Sequence, residues 1–395
     1  MKDIGKVSAK LKHFVGDFIV EEIGPDWDCK VSDDFVSRKV VDLSNLGVNE
    51  SRDFLAFELE KKDLDHFQMM RDLARSLGKG VHAMGYAGSK DKKAWTCQRI
   101  SVFKPDLEKV KDFSHPNINL KNFKWVKRKI KMGYLEGNRF RIILRDLDKK
   151  GAAVSGNRIR KIKAFPNYFG SQRFGSLRGN NVKIGRLILK KKFKDAVWTI
   201  LTDSSMMERA DFREVRERLR KEKDFNEAEN YFPTYLKLEM HLIRYLIRKP
   251  EDWLGALKSA ERKNLLMYIH SVQSKIFNDI LEMGLDDELD FSKEGQRSCP
   301  LMGFKTRFSK GRLGEFEQEI LRAHGLELSD FDLKEIPYLR MKGSFRKALV
   351  EVSDLSVSVE DDEEFSGSKK MILSFVLPSG VYATTFLDQF FALND

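Results

Sequence analysis

Apolar and polar residues alternate early in the chain. Between residues 14 and 22, Phe14, Phe18 and Val20 fall on one face and Val15 and Ile19 on the other, the period-two signature of a strand. Phe54-Leu-Ala-Phe-Glu-Leu-Glu predicts a second strand. Across 63–77 the period lengthens: Leu64, Phe67, Met70, Leu73, Ala74 and Leu77 recur at helical spacing, and Gly78 closes the run. Strand patterns return at 81–86, 98–103, 123–134 and 140–147, with Glu136-Gly137-Asn138 as a turn between the last two. A helix between strands, followed by hairpins, predicts an α+β fold with a largely antiparallel sheet.

The character changes after about Gly151, and from Asn180 to Leu281 the spacing is almost all helical, with runs such as Leu236, Met240, Ile243 and Leu246, then Leu265, Tyr268, Ile269, Val272 and Ile276. Another helix is predicted at 315–324, and strand-like sequence resumes at 348–352 and 371–377. The acidic run from Glu360 to Glu364, followed by Ser366-Gly-Ser, reads as an exposed hairpin tip with no function of its own. A length of 395 residues exceeds one ordinary core. We therefore expect a mostly helical domain, 158–340, inserted between two parts of one α+β domain, 1–157 and 341–395. No repeat of fixed period interrupts this order.

Charge then narrows the partner. The formal net charge of +12 and the 41% hydrophobic content describe a folded, basic chain, and such a balance points to a polyanion, nucleic acid first. Lys127-Arg128-Lys129-Ile-Lys131 is expected on a strand and Arg158-Ile-Arg160-Lys161-Ile-Lys163 on a helix, followed by Arg173, Arg178, Lys183, Arg186 and Lys190-Lys191-Lys192 with few acids between. Surface solubilisation is the bland account, but same-sign density repels itself unless a partner uses it. No apolar run reaches transmembrane length and residues 1–6 lack an apolar signal core, so neither membrane nor export is expected. Cys29, Cys97 and Cys299 lie far apart without a Cys-x-x-Cys pair. That argues against a disulfide framework and against a recognisable zinc site, and suits a reducing cytoplasm. No phosphate-binding glycine spacing is present, so no nucleotide cofactor is expected. His82 and His270 sit in apolar sequence and read as packed histidines.

Three stretches carry candidate chemistry. Gly85-Tyr-Ala-Gly-Ser-Lys-Asp-Lys-Lys sets Asp91 among Lys90, Lys92 and Lys93 on a glycine-flanked loop between two strands. A cationic neighbourhood favours the ionised carboxylate, and an anionic nucleophile or base within a cationic patch is what chemistry on RNA requires. The same residues also describe a soluble turn, and from the loop alone that account is favoured. Phe165-Pro-Asn-Tyr-Phe-Gly-Ser-Gln-Arg-Phe-Gly interleaves aromatics with Asn167, Gln172 and Arg173. Such a set can stack on unpaired bases and read their edges, or can equally be a Pro-Asn turn with core aromatics. Gly137-Asn-Arg-Phe-Arg-Ile-Ile-Leu-Arg places Phe140, Ile142 and Leu144 on one face and Arg139, Arg141, Ile143 and Arg145 on the other, favouring a hairpin with a core-facing Phe140.

Taken in order, these pieces resemble the TruD family of tRNA pseudouridine synthases. The matching residues are Phe18-Ile-Val-Glu-Glu, Ala87-Gly-Ser-Lys-Asp91 with Gln98, Gly137-Asn138-x-Phe140, Pro166-Asn167-Tyr-Phe-Gly170-x-Gln172-Arg173-Phe-Gly175, Ser274-x-x-Phe277-Asn278, and Leu377-Pro-Ser-Gly-Val-Tyr-Ala-Thr384. They run from about residue 10 to 388. The chain departs from the family at Val15-Gly-Asp-Phe, where Pro-Glu-Asp-Phe is common, and matches it poorly over 27–51.

The resemblance implies a pseudouridine-synthase fold, mainly antiparallel, interrupted by a largely helical insertion. It implies isomerisation of uridine to pseudouridine in tRNA, typically at position 13, without metal or cofactor. The catalytic aspartate maps onto Asp91, the active-site lysine onto Lys12 and the active-site phenylalanine onto Phe140, which would stack on the flipped base. Asn138, Asn167, Gln172 and Arg173 are implied near the substrate. A non-catalytic RNA-binding protein would share the basic face but not the need for Asp91, while another base-flipping enzyme would betray itself by free uracil release (a glycosylase) or by demand for a methyl donor (a methyltransferase).

Overall fold

A computed structural model describes residues 6–47, 52–175, 177–293 and 295–394. The start of the chain, read above as lacking a signal core, and the end of the weakly matching 27–51 stretch lie outside them. The chain forms two compact units, Lys2–Phe165 with Val350–Asp395, and Pro166–Leu349. They part about eight residues later at each crossing than the sequence pattern suggested, for local reasons. Helix Lys149–Ile159 packs on the sheet of the first unit, and Ser344–Lys347 pairs antiparallel with Ser298–Leu301 of the second.

The first unit is α+β. Its strands are β1 (Val7–Lys10), β2 (Phe18–Gly24), β3 (Trp27–Asp28), β4 (Phe54–Lys62), β5 (Met84–Tyr86), β6 (Trp95–Phe103), β7 (Ile118–Val126) and β8 (Gly137–Leu147), with a hairpin Ser353–Asp361 and Lys369–Pro378, and a last strand Phe391–Asn394. The hairpin strand Lys369–Pro378 lies against β8, and the sheet continues β8, β2, β6, β4, β7. Pairing is antiparallel except β2 with β6 and β1 with Phe391–Asn394. Helix α1 (His66–Ser76) starts where Asp65 accepts a hydrogen bond from the Gln68 N–H (2.9 Å), an N-cap that ties one otherwise orphaned amide. Its Met69, Met70 and Leu73 pack into a core with Leu55, Phe57 and Leu59 of β4.

Several local expectations change. The strand predicted from Phe14 begins only at Phe18, because a 3-10 turn, Val15–Asp17, is closed by Asp17 accepting from the Phe14 N–H (2.9 Å). The basic run Lys127–Lys131 lies in a loop after β7, not on a strand. Only Arg158 of the next basic run is helical, since the helix Lys149–Ile159 ends there. The acidic hairpin tip has a structural task. Asp362 is buried and, with Asp17 and Glu363, holds the buried Arg145 guanidinium at 2.9–3.1 Å. Arg145, expected on the face opposite Phe140, is buried because these acids cover it, beside a register irregularity between β8 and Lys369–Pro378.

The second unit is mostly helical. Its longest helix, Arg262–Asp286, packs against Asn181–Leu189, where a Cβ on Gly185 would stand 2.3 Å from the Tyr268 carbonyl. Glycine is what lets the two backbones approach. Within it, the buried Arg216 is satisfied by Glu208 (3.1 Å), Glu239 (2.8 Å) and two main-chain carbonyls. No helix among the described residues is long and apolar enough to cross a membrane.

Candidate active site

The Asp91 loop joins β5 to β6, which pair antiparallel, so its two ends are fixed by one ladder. Gly85 is required at its start, because a Cβ there would fall 2.3 Å from the Ile130 carbonyl. The Gln98 side chain of β6 donates to the Gly88 carbonyl (3.2 Å) and braces the loop from inside. Beneath Asp91, Lys61 at the end of β4 donates from Nζ to the Asp91 main-chain carbonyl. Lys61 has no exposed surface, and burial brings its ammonium down to about 8 from an ordinary 10.5, against the opposing pull of Asp91 and Asp65.

The Asp91 carboxylate itself is half exposed, and Lys12 Nζ stands 3.6 Å from its Oδ2. Lys12 follows β1 with φ of +56°, a left-handed conformation that non-glycine residues adopt at a cost of roughly 1 kcal/mol or more. Its ammonium also lies 4.2 Å from the centre of the Phe18 ring. The aromatic face and the carboxylate together hold one cation in place.

The lysines beside Asp91 in sequence do otherwise. Lys90 turns inward and forms a buried 2.7 Å ion pair with Glu22, whose other oxygen accepts from the Arg99 N–H (3.2 Å). Lys92 and Lys93 point to solvent. The Phe140 ring is only 5% exposed, packed against Phe375 at 5.5 Å and edge-on to Phe18 at 6.3 Å. It is therefore a core side chain supporting the ring that carries Lys12, with no open face for a base. Asn138 is half-buried on β8, and its Oδ1 has no hydrogen-bond partner among the described residues.

Asn167, Gln172 and Arg173 belong to the helical unit. Asn167 is locked there, its N–H donating to the Ala348 carbonyl (2.8 Å) and its Nδ2 to the Lys347 carbonyl (2.9 Å), while Arg346 donates to its Oδ1. Gln172 is exposed, and the Arg173 guanidinium stacks 5.4 Å from the Phe169 ring at a cleft of about 480 Å³. Asn278 secures the neighbouring turn by exchanging 2.9 Å bonds with the Phe169 main chain.

With this geometry the family follows. The family described as tRNA pseudouridine synthase D (TruD) matches residues 1–296 and 292–390. This chain belongs to the TruD family. A relative from Methanopyrus kandleri, named "Probable tRNA pseudouridine synthase D", is 33% identical over 342 residues, covering 84% of each chain. Another of the same name from Methanosarcina barkeri is 29% identical over 437 residues, covering 99% of this chain and 95% of its own. A solved structure of a TruD protein from Methanosarcina mazei superposes with a TM-score of 0.82 at 27% identity, covering 99% of this chain and 95% of that one. The TruD fold is α+β with a mainly antiparallel sheet and a helical insertion, as the sequence resemblance implied.

Some polar residues of the TruD unit escaped the sequence reading. Lys61 is one. His66 is another: burial lowers its imidazole to about 4, with the charges of Lys61 and Lys90 pushing the same way. His82, expected to be packed, is exposed. Sequence separation also misled for the cysteines, since the Cys29 and Cys97 sulfurs and a Glu58 carboxylate oxygen lie within 4.8 Å of one another, all buried.

Proposed function

We propose that this chain isomerises uridine to pseudouridine in cytoplasmic tRNA, at position 13, with Asp91 as the reacting carboxylate and neither metal nor cofactor. The observation that carries the reading is the Asp91–Lys12 pair at 3.6 Å, presented on a loop whose backbone is anchored from below by Lys61. In the reaction the N1–C1′ bond breaks and a C5–C1′ bond forms. The C5 proton is released and N1 takes up a proton. Asp91 can serve in two ways: its oxygen attacks C1′ to give a transient ester, or it removes the C2′ proton to give a glycal. Either route returns the free carboxylate. The Lys12 ammonium faces the negative charge that develops on the detached uracil.

The target base must be unstacked first, at a cost of a few kcal/mol. Phe18 and Phe140 form the apolar floor under Lys12, and Asn138 offers an unpaired acceptor on the same sheet. Gln172 and Arg173 of the helical unit are assigned to contact with the RNA, and Asn167 to ordering residues 166–175.

The test is tritium release from tRNA carrying 5-tritiated uridine. Wild-type protein is expected to release it, and Asp91→Asn to release none while binding tRNA with similar affinity. A tRNA with cytidine at position 13 should lose the signal. An active Asp91→Asn protein would remove Asp91 from the chemistry. Retained release with the altered tRNA would remove position 13. A wild-type protein that binds tRNA but makes no pseudouridine would favour a non-catalytic binder.

A further inference from the structure

Residues 127–136 leave β7 and run back along the segment that carries Asp91. The Ile130 N–H donates to Ser101 Oγ (2.9 Å), the Gly133 N–H to the Ala87 carbonyl (2.7 Å) and the Glu136 N–H to the Ile23 carbonyl (2.9 Å). Between this loop and β3 the first unit opens a notch of about 370 Å³. One wall is aromatic: the Trp27 and Tyr134 rings stand 5.7 Å apart, and the Arg99 guanidinium lies 5.9 Å from the Trp27 ring. Tyr134 is 52% exposed, and the buried Trp27 indole N–H has no acceptor among the described residues. The rim carries Arg99 and the four cations of the 127–131 run, with Asp26 as the single carboxylate. Among the described residues none of these five cations forms an ion pair; Lys129 donates to the His82 carbonyl (2.6 Å).

Five unneutralised cations around one notch repel each other, and an exposed tyrosine beside them gains little from water. Both features are explained by one ligand that brings a flat apolar ring and a negative charge a few ångströms from it. An unpaired nucleotide is such a ligand, its base stacking on aromatics and its phosphate drawn to Lys and Arg. We propose that this notch binds one unpaired nucleotide of the RNA substrate, its base on the exposed Tyr134 ring that Trp27 backs and its phosphate among the 127–131 cations. The proposal rests on the tRNA-modifying reading above and adds a contact point beside the Asp91 loop, not a second reaction. An acidic protein segment would use the cations but leave the aromatic wall idle.

Two variants of the full chain test it: Tyr134→Ala, and Lys127→Ala/Arg128→Ala/Lys131→Ala combined. With unmodified tRNA, Tyr134→Ala should weaken binding about 5- to 100-fold with an unchanged salt dependence, and Tyr134→Phe should restore it. The triple variant should make the slope of log affinity against log salt shallower by about 0.7–0.9, the share of one phosphate contact. In tritium release both should raise KM far more than they lower kcat. Circular dichroism checks that each is folded. Wild-type affinity in Tyr134→Ala, or a wild-type slope in the triple variant, overturns the proposal. So does competition by polyglutamate as effective as that by oligouridylate. If both variants bind as stated but the wild type makes no pseudouridine, the notch stands and the enzymatic reading falls. If both process limiting tRNA at the wild-type rate, the notch falls and the enzymatic reading stands.

Discussion

Replacing Lys61 by Met separates the charge beneath Asp91 from the shape of the strand that holds it. Lys61 is wholly buried, and the drop of its ammonium from 10.5 to about 8 corresponds to about 3 kcal/mol, an order-of-magnitude cost of keeping that charge in place at neutral pH. Opposing it is a single charged hydrogen bond to the Asp91 carbonyl, worth about 1.5–3 kcal/mol. The two nearly cancel, so Lys61→Met should unfold in urea within about 2 kcal/mol of the wild type at pH 7. Activity should not be spared. The Asp91 loop loses its anchor, and a misplacement of about 1 Å at a reacting group costs on the order of 100-fold. We expect kcat for tritium release to fall about 10- to 100-fold. The pH profiles supply the sharper check. Between about pH 8 and 10.5 the unfolded chain still holds the lysine proton that the folded chain has released, so wild-type stability rises with pH. Activity should move the other way, falling above about pH 8 as the ammonium is lost. Lys61→Met should show neither limb. A variant with wild-type kcat and an intact alkaline limb would refute the anchoring role.

Other positions give simpler expectations. Phe140→Ala removes a 5%-exposed ring from the core and should cost about 3–5 kcal/mol in urea denaturation; wild-type stability would contradict its core placement. Arg145→Met leaves Asp17 and Asp362 buried without their partner, a loss of about 3–5 kcal/mol, whereas Arg209→Ala, at an exposed pair with Asp211, should change stability by less than about 1 kcal/mol. His66, held near 4 by burial, binds its proton less readily folded than unfolded, so stability should fall as pH drops from 6.5 through about 4. His66→Phe should flatten that limb in thermal midpoints measured against pH, and an unchanged limb would assign it elsewhere.

The sequence exposed what depends on spacing and chemical type, and concealed what depends on where the chain returns. Asp91 stood out because glycines and lysines around one carboxylate are unusual within a strand-turn-strand pattern. Lys61 did not, since Glu60-Lys61-Lys62 reads as the wet end of a strand, and β4 is buried on both faces only because α1 and its neighbouring strands cover it. The lysines nearest Asp91 were the natural candidates for its partner. Lys90 instead answers Glu22, sixty-eight positions away, and the pairing cation is Lys12, which only the resemblance had named. The acidic tip looked idle because its partner, Arg145, lies more than two hundred positions away, where spacing cannot reveal the contact. The two-unit order was readable because the hydrophobic period itself changes from two to three and a half, while its exact crossings depend on which sheet or helix each short flanking element joins.

The pairing of β1 with Phe391–Asn394, more than 380 positions later, has a consequence for how the protein comes into being. Strand β1, which leads into Lys12, lies parallel to Phe391–Asn394 along its whole length, and Lys369–Pro378 fills the place between β8 and the hairpin's other arm. On a ribosome, the helical unit has its whole sequence to hand before either of these strands is made. The sheet that carries Asp91 therefore waits for residues 369–394, and the cation that faces Asp91 is set only when Phe391–Asn394 reaches β1. A nascent chain stopped short of residue 391 would bear the aspartate, the loop and most of the basic surface, yet lack the strand that fixes its lysine. Such truncated products are expected to occupy tRNA without modifying it.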